Sequence, residues 1–155
     1  MKIAIVDRRP VRVAYLRYMG PYGEPLGKFW RATVAPWLAE HGLVDCPRYG
    51  VPLDDSMNTP PDRCRYDACV ELPAGMSLPD AETKIIDGGK YAVTTFKGNG
   101  AGIGPAWGAF VAECLGGKTP AIDATRLPFE HYPRGTLLDP KSGVFACEFF
   151  LPVSS

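Results

Sequence analysis

This sequence lacks most marks of a common catalytic, metal-binding or membrane protein. Neither sign of charge is in excess: 17 Lys and Arg meet 17 Asp and Glu in 155 residues, so the formal net charge is zero. A protein that coats nucleic acid needs a concentrated basic face, so a direct nucleic-acid partner is not expected. No apolar run approaches the ~18 residues that span a bilayer, so no membrane partner is expected either. Met1 to Asp7 lacks the basic start, apolar stretch and small-residue cleavage site of a secretory signal. Only two His occur, His41 and His131, and neither has a partner at metal-ligand spacing. The five Cys (Cys46, Cys64, Cys69, Cys114, Cys147) are odd in number, scattered and without a CxxC. They read as free thiols in a reducing cytoplasm. The expectation is a cytoplasmic protein with no metal and no cofactor.

The nucleotide and nucleophile motifs fail as well. Gly98-Asn99-Gly100-Ala101-Gly102-Ile103-Gly104 is glycine-dense, yet a third glycine of GxGxxG would fall on Ile103 or Pro105. Gly117-Lys118-Thr119 resembles the end of a phosphate loop, but the first glycine of that motif would fall on Ala112. No GxSxG occurs.

The chain does carry 17 Gly, 16 Pro and 11% aromatics. Such Gly and Pro content borders on the disordered range. Disorder is rejected because 46% of the residues are hydrophobic and they are patterned. Val11 to Tyr18 alternates as a strand, with Ile3 to Val6 as its first half before Arg9-Pro10. Leu26, Phe29, Trp30, Thr33, Val34, Trp37, Leu38 and His41 then fall on one helical face that ends at Gly42. Pro36 should kink or break that helix. Arg48 to Leu53 and Arg65 to Leu72 read as strands, and Ala74 to Asp80 as the connector between halves.

The second half replays the first. Tyr91 to Gly98 is a strand ending in glycine, and Gly100 to Pro105 reads as a turn, with Pro105 at the first helical position. Trp107, Phe110, Val111, Cys114 and Leu115 form one helical face. Phe129 to Tyr132 and Val144 to Leu151 complete the set. Each half therefore reads strand, helix, strand, strand. A helix between two strands must cross over one face of the sheet. The expectation is a duplicated α+β fold over residues 1–155, with repeats near 1–73 and 83–153. Its curved, antiparallel-rich sheet carries two helices on one face and a groove at the pseudo-twofold.

The leading functional candidate is Glu130, in Phe129-Glu130-His131-Tyr132. Alternation puts Glu130 and Tyr132 on one face and Phe129 and His131 on the other. A carboxylate in an aromatic strand is costly to bury unpaired. It is either an edge residue, solvated or paired with an arginine such as Arg134, or a negative charge at the floor of an aromatic pocket. The pocket reading suits a flat, lipophilic cation, through charge pairing and cation–π contact.

Together these segments resemble the gyrase-inhibitor-like (GyrI-like) small-molecule-binding domain, the effector-binding module of AraC-type and multidrug-sensing bacterial regulators. The carriers are Arg12 to Tyr22, Trp37 to Leu43, Tyr91-Ala92-Val93 with Phe96-Lys97-Gly98, Trp107, Phe129 to Tyr132 and Leu151-Pro152-Val153. The resemblance implies a ligand groove between the halves, with Glu130 as its carboxylate and Trp107 and Tyr132 as pocket aromatics. Tyr22, Phe29 and Tyr66 complete the candidate ligand-binding set. All 155 residues are used by this domain, so no separate helix-turn-helix is expected. The first expectation is a stand-alone module binding lipophilic cationic aromatic molecules, as a sensor, a sequestering protein or a modulator of a partner such as gyrase or a separate regulator. The alternative is a hydrolase of electrophilic xenobiotics, with Glu130 as base and Tyr132 or Tyr22 as proton donor. A third reading is a protein–protein module whose groove takes a partner segment.

Overall fold

Alternating apolar residues on eight short segments fold into a single antiparallel sheet. The computed structural model describes residues 1–135 and 143–155. The strands are β1 (Ala4–Arg8), β2 (Val11–Met19), β3 (Arg48–Pro52), β4 (Arg65–Glu71), β5 (Glu82–Ile86), β6 (Gly89–Gly98), β7 (Phe129–Tyr132) and β8 (Phe145–Pro152). Their order is β1-β6-β8-β7-β3-β4-β2-β5. Adding four to each strand number of one half, or subtracting it, returns the same order read backwards. The duplication seen in the sequence is thus a pseudo-twofold in the sheet, and it passes between β3 and β7.

The outer strands are joined in a way the sequence pattern did not reveal. Ala4 faces Val93 and Arg8 faces Gly89, while Val11 faces Ile86 and Tyr15 faces Glu82. The residue numbers of every pair add to 97, so β1–β2 and β5–β6 form one continuous antiparallel ribbon. Its first strand passes from one half to the other at Arg9-Pro10. A Cβ at Gly88 would lie 2.7 Å from Pro10 Cδ and 2.8 Å from the Arg8 carbonyl, so the partner strand needs glycine at the handover. Each half is therefore strand, strand, helix, strand, strand. β5 was missed because Glu82-Thr83-Lys84 is polar and lies on a sheet edge, where alternation carries little signal.

The first helical segment is α1 (Glu24–Phe29), a π-helical turn at Trp30–Val34 and α2 (Ala35–Glu40). Pro36 removes a backbone donor, yet the chain neither breaks nor leaves helical torsions at the junctions. Just before the proline, the Ala35 N–H reaches back five residues to the Trp30 carbonyl. The π turn thus absorbs the disruption expected as a kink or break. The second segment is α3 (Gly100–Glu113) with a π turn at Cys114–Lys118. It starts five residues earlier than expected, and Pro105 lies inside it. The cause is Asn99, whose side chain accepts bonds from the Ala101 and Gly102 N–H groups at 3.1 Å. That cap lets a glycine-rich stretch enter the helix.

Both helical segments cover one face of the sheet. Val34 and Leu38 pack on Ala14, Tyr66, Ala68 and Val70. Phe110 and Cys114 pack on Ala92, Phe96, Phe149 and Leu151. These are two separate clusters, one in each half. On the opposite face Val13, Tyr49, Val51, Cys69, Tyr91, Phe129 and Phe150 form a single cluster drawn from both halves, as the inside of a curled half-barrel requires. All five cysteines are free thiols.

Candidate functional site

The pseudo-twofold runs where the two helical clusters meet, and Glu130 sits there. It lies on β7, in the middle of the sheet, opposite Gly50 of β3 and Phe149 of β8. It is neither an edge residue nor paired with Arg134: it is only 5% exposed. Three neutral donors hold it. The Tyr66 hydroxyl donates to Oε1 at 2.8 Å, the Tyr132 hydroxyl to Oε1 at 3.0 Å and the Trp107 indole N–H to Oε2 at 3.0 Å.

This arrangement sets the electrostatics. Burial pushes the Glu130 carboxyl above its usual pKa, and the bonds from Trp107, Tyr66 and Tyr132 only partly offset that. Burial also raises Tyr66 and Tyr132 well above the ordinary phenol value, reinforced by the Glu130 charge, so both stay protonated as donors. The site is a carboxylate solvated by neutral groups, with no cation among the described residues bonded to it.

Each donor comes from a different element. Tyr66 is the second residue of β4, Tyr132 ends β7, and Trp107 comes from α3 while stacking on Phe149 at 4.2 Å. Trp30, the counterpart of Trp107 in the first half, meets Tyr132 at 5.7 Å and Tyr66 edge-on at 6.2 Å. It belongs to the cluster, and the candidate set drawn from the sequence had its neighbour Phe29 instead. Phe29 lies one residue round the helix and packs on Tyr18 at 5.2 Å. The equivalence of Trp30 and Trp107 in the repeat was the signal that would have found it. Tyr22 touches the edge of Tyr66 at 6.0 Å, but its hydroxyl donates to the Arg65 carbonyl and burial pushes its pKa up to about 12. It lines the cluster without reaching Glu130.

Gly50 is the second residue that the sequence did not flag. A Cβ there would lie 1.7 Å from the Tyr66 hydroxyl and 2.7 Å from Glu130 Oε1. Only glycine leaves room for the Tyr66–Glu130 bond. Gly50 and Glu130 are also equivalents in the repeat, 80 residues apart (130 less 50), and face each other across the axis. One half supplies the charge and the other supplies the space.

Little of Glu130 reaches solvent, and α1 and α3 approach one another. Two surface clefts open elsewhere. One, of about 620 Å³, is lined by Gly88, Asp123 and Arg126, the other, of about 210 Å³, by Val51, Ile86 and Phe129. Neither is lined by Glu130.

The fold is thus a duplicated α+β sheet with a buried carboxylate under two aromatic-bearing helices. No helix among the described residues is long and apolar enough to cross a membrane. The comparison with known proteins agrees: residues 1–154 match the GyrI-like small molecule binding domain, and the chain belongs to that family. It is 32% identical to the SPbeta prophage-derived protein YosT of Bacillus subtilis (strain 168), which carries a transcriptional-regulator name, over 73% of this chain and 77% of that one. It is 31% identical to DNA gyrase inhibitor 1 of Dickeya dadantii (strain 3937), over 82% of this chain and 83% of that one. Its fold is shared with SAV2435, solved bound to tetraphenylphosphonium, at a TM-score of 0.63 and 13% identity, over 100% of this chain and 95% of that one.

Proposed function

We propose that this domain binds lipophilic aromatic cations in the groove between α1 and α3, with Glu130 as the counter-charge. The observation that carries the reading is a buried carboxylate whose hydrogen-bond donors among the described residues are two phenols and an indole. A buried carboxylate without a cation is costly, and a bound cation removes that cost. Trp30, Trp107, Tyr66 and Tyr132 supply aromatic faces for the apolar part of the ligand and for cation–π contact. SAV2435 supports the reading as a protein of the same fold seen with such a cation. Because Glu130 is buried, binding requires α1 and α3 to part or their aromatic side chains to turn. In this reading the domain serves in the cytoplasm as a sensor, a sequestering protein or a modulator of a protein partner. The gyrase-inhibitor name of one relative makes gyrase the partner to test.

The hydrolase alternative gains nothing from the geometry. Both Glu130 oxygens accept bonds from side chains; of the two expected proton donors, Tyr132 already donates to Glu130 and Tyr22 donates to the Arg65 carbonyl. Calorimetry with tetraphenylphosphonium and the neutral triphenylphosphine oxide tests the binding reading. Wild type should bind the cation and be thermally stabilised by it, and Glu130→Gln should lose most of that affinity. Equal losses for both compounds, or none for either, would refute the role of Glu130.

A further inference from the structure

The sheet ends in a free edge at β5, and one hydrogen bond fixes which backbone groups that edge presents. The Leu72 N–H donates to the Arg12 carbonyl at 3.1 Å, so Arg12 turns its backbone groups toward β4. By alternation Val11, Val13 and Tyr15 turn theirs toward β5, where they face Ile86, Lys84 and Glu82. Thr83 and Ile85 therefore point their N–H and C=O groups out of the sheet, because β5 is the last strand. Among the described residues no backbone group outside the strands bonds to them. Their side chains share the helix-bearing face with Ala81 and Ala14, while Glu82 and Lys84 lie on the opposite face. Glu82 and Thr83 are exposed, and Ile85 keeps 54% of its surface in water. Unpaired edge groups beside exposed apolar surface are a template for another strand.

We propose that β5 is a docking edge for a second copy of this chain, and that antiparallel β5–β5 pairing about a twofold axis at Thr83 joins the two sheets. The contact lies at the edge of the sheet, away from the central strand that carries Glu130. Charge selects the register. A twofold axis normal to the sheet keeps both helix-bearing faces on one side, so opposed residues are both even-numbered or both odd-numbered. With Thr83 opposite its own copy, Glu82 of each chain faces Lys84 of the other, and Ala81 faces Ile85. The Lys84 ammonium already donates to Asp67 at 2.5 Å and has further N–H donors for Glu82 of the second copy. Opposed Glu–Lys and Thr–Thr pairs stabilise antiparallel strands, and pairing also covers Ile85. Thr83 has its backbone groups facing outward, so the two copies exchange both N–H···O bonds at the axis. Moving the axis by one residue, to Lys84, sets two ammonium groups against each other. The other free edge, β1, lacks this complementarity. The Val153 N–H donates to the Lys90 carbonyl, so by the same alternation Ile5 faces outward, and pairing about Ile5 sets Lys2 opposite Arg8.

Sedimentation velocity of the full chain tests this. Monomer should give way to dimer between about 1 and 100 µM, the range of a small, partly polar interface. Thr83→Pro removes an outward N–H without touching a bond inside the sheet, so it should stay folded and monomeric. Glu82→Lys turns two attractive pairs into two repulsive ones and should raise the dimer dissociation constant about tenfold or more. It carries the test if Thr83→Pro is unstable. Thr83→Cys puts two thiols at a hydrogen-bonded pair, with Cα atoms about 5.5 Å apart, and should cross-link the copies on mild oxidation. Ile85→Cys, which faces Ala81, should not. A wild type that stays monomeric throughout the range overturns the proposal. So does a dimer that survives both Thr83→Pro and Glu82→Lys, or one that Ile85→Cys cross-links as readily as Thr83→Cys.

Discussion

Two carboxylates are buried in this sheet, and they are solvated in opposite ways. Asp67, fully buried on the helix-free face, accepts two bonds from Arg17 at 2.8 and 3.0 Å and one from Lys84 at 2.5 Å. Burial would raise its pKa, but those cations outweigh it and hold the group below its usual value. Glu130, on the helix face, has three donors as well, and all are neutral. Its pKa ends above the usual value. Equal numbers of hydrogen bonds thus leave one group satisfied in charge and the other not. Asp67 closes an ion-pair network that supports the fold, whereas Glu130 remains able to gain from a cation supplied from outside.

The contrast is sharpened or broken by four measurements. The largest effect is expected for Glu130→Gln, which should cost a cationic ligand about 2–5 kcal/mol of affinity if the pair is desolvated, read by calorimetry. The same variant should be at least as stable as wild type at pH 7. A carboxyl whose folded pKa is raised favours the fold fully below its unfolded pKa of about 4.3, and that contribution is lost as pH rises through the higher folded value. A variant that loses stability and affinity together would make Glu130 a structural group like Asp67.

Gly50→Ala tests whether the carboxylate must be held by Tyr66. Its Cβ would collide with the Tyr66 hydroxyl, so the bond to Glu130 cannot survive unchanged. We expect a stability loss of roughly 1–3 kcal/mol in denaturant titration, together with weaker cation binding. Unchanged binding would mean that the Tyr66–Glu130 bond is dispensable to the site.

Asp67→Asn should destabilise the protein by about 2–3 kcal/mol and leave ligand affinity unaltered. That is at or below the usual cost of breaking a buried ion pair, because Arg17 and Lys84 still reach solvent, at 45% and 24% side-chain exposure. The pH dependence follows from the sign of the shift. With its folded pKa depressed, Asp67 stabilises the protein above its unfolded pKa of about 3.9, and this contribution is lost as pH falls through the folded value. Thermal melts of wild type and Asp67→Asn should therefore converge in acid. Parallel curves down to low pH would remove Asp67 from the ion-pair role.

The smallest effect is a fraction of a proton. A cation bound at Glu130 lowers the raised pKa of that group, so binding should release protons where the free carboxyl is partly protonated, and affinity should weaken as pH falls through that range. Calorimetry in two buffers of different ionisation enthalpy reads the release directly. No release at any pH from 4 to 7 would show that the ligand does not engage the Glu130 charge.

Alternation and helical spacing were enough to place seven of the eight strands, both helical segments, the duplication and the strand that carries Glu130. These signals are local: each depends on residues two to four apart, and burial of one face imposes the period. Phe129 to Tyr132 is the clearest case, four residues whose strand bounds match the expectation. Position in the sheet is a different matter. Nothing within β7 says that it is central, because that depends on β3 and β8 arriving from 80 residues before it and about 20 residues after it. The donors of Glu130 likewise come from 2, 23 and 64 residues away, and no single period links them. Trp30 and Phe29 are adjacent in sequence and similar in chemistry, and only the turn of the helix over Tyr66 and Tyr132 separates a groove residue from a packing one. Gly50 is plainer still: one glycine among 17, whose missing Cβ matters because a tyrosine from another strand fills the space. The sequence alone determined which segments fold and which residue brings the charge. The tertiary structure decided what surrounds that charge, because its energy depends on distances in space that local pattern does not encode.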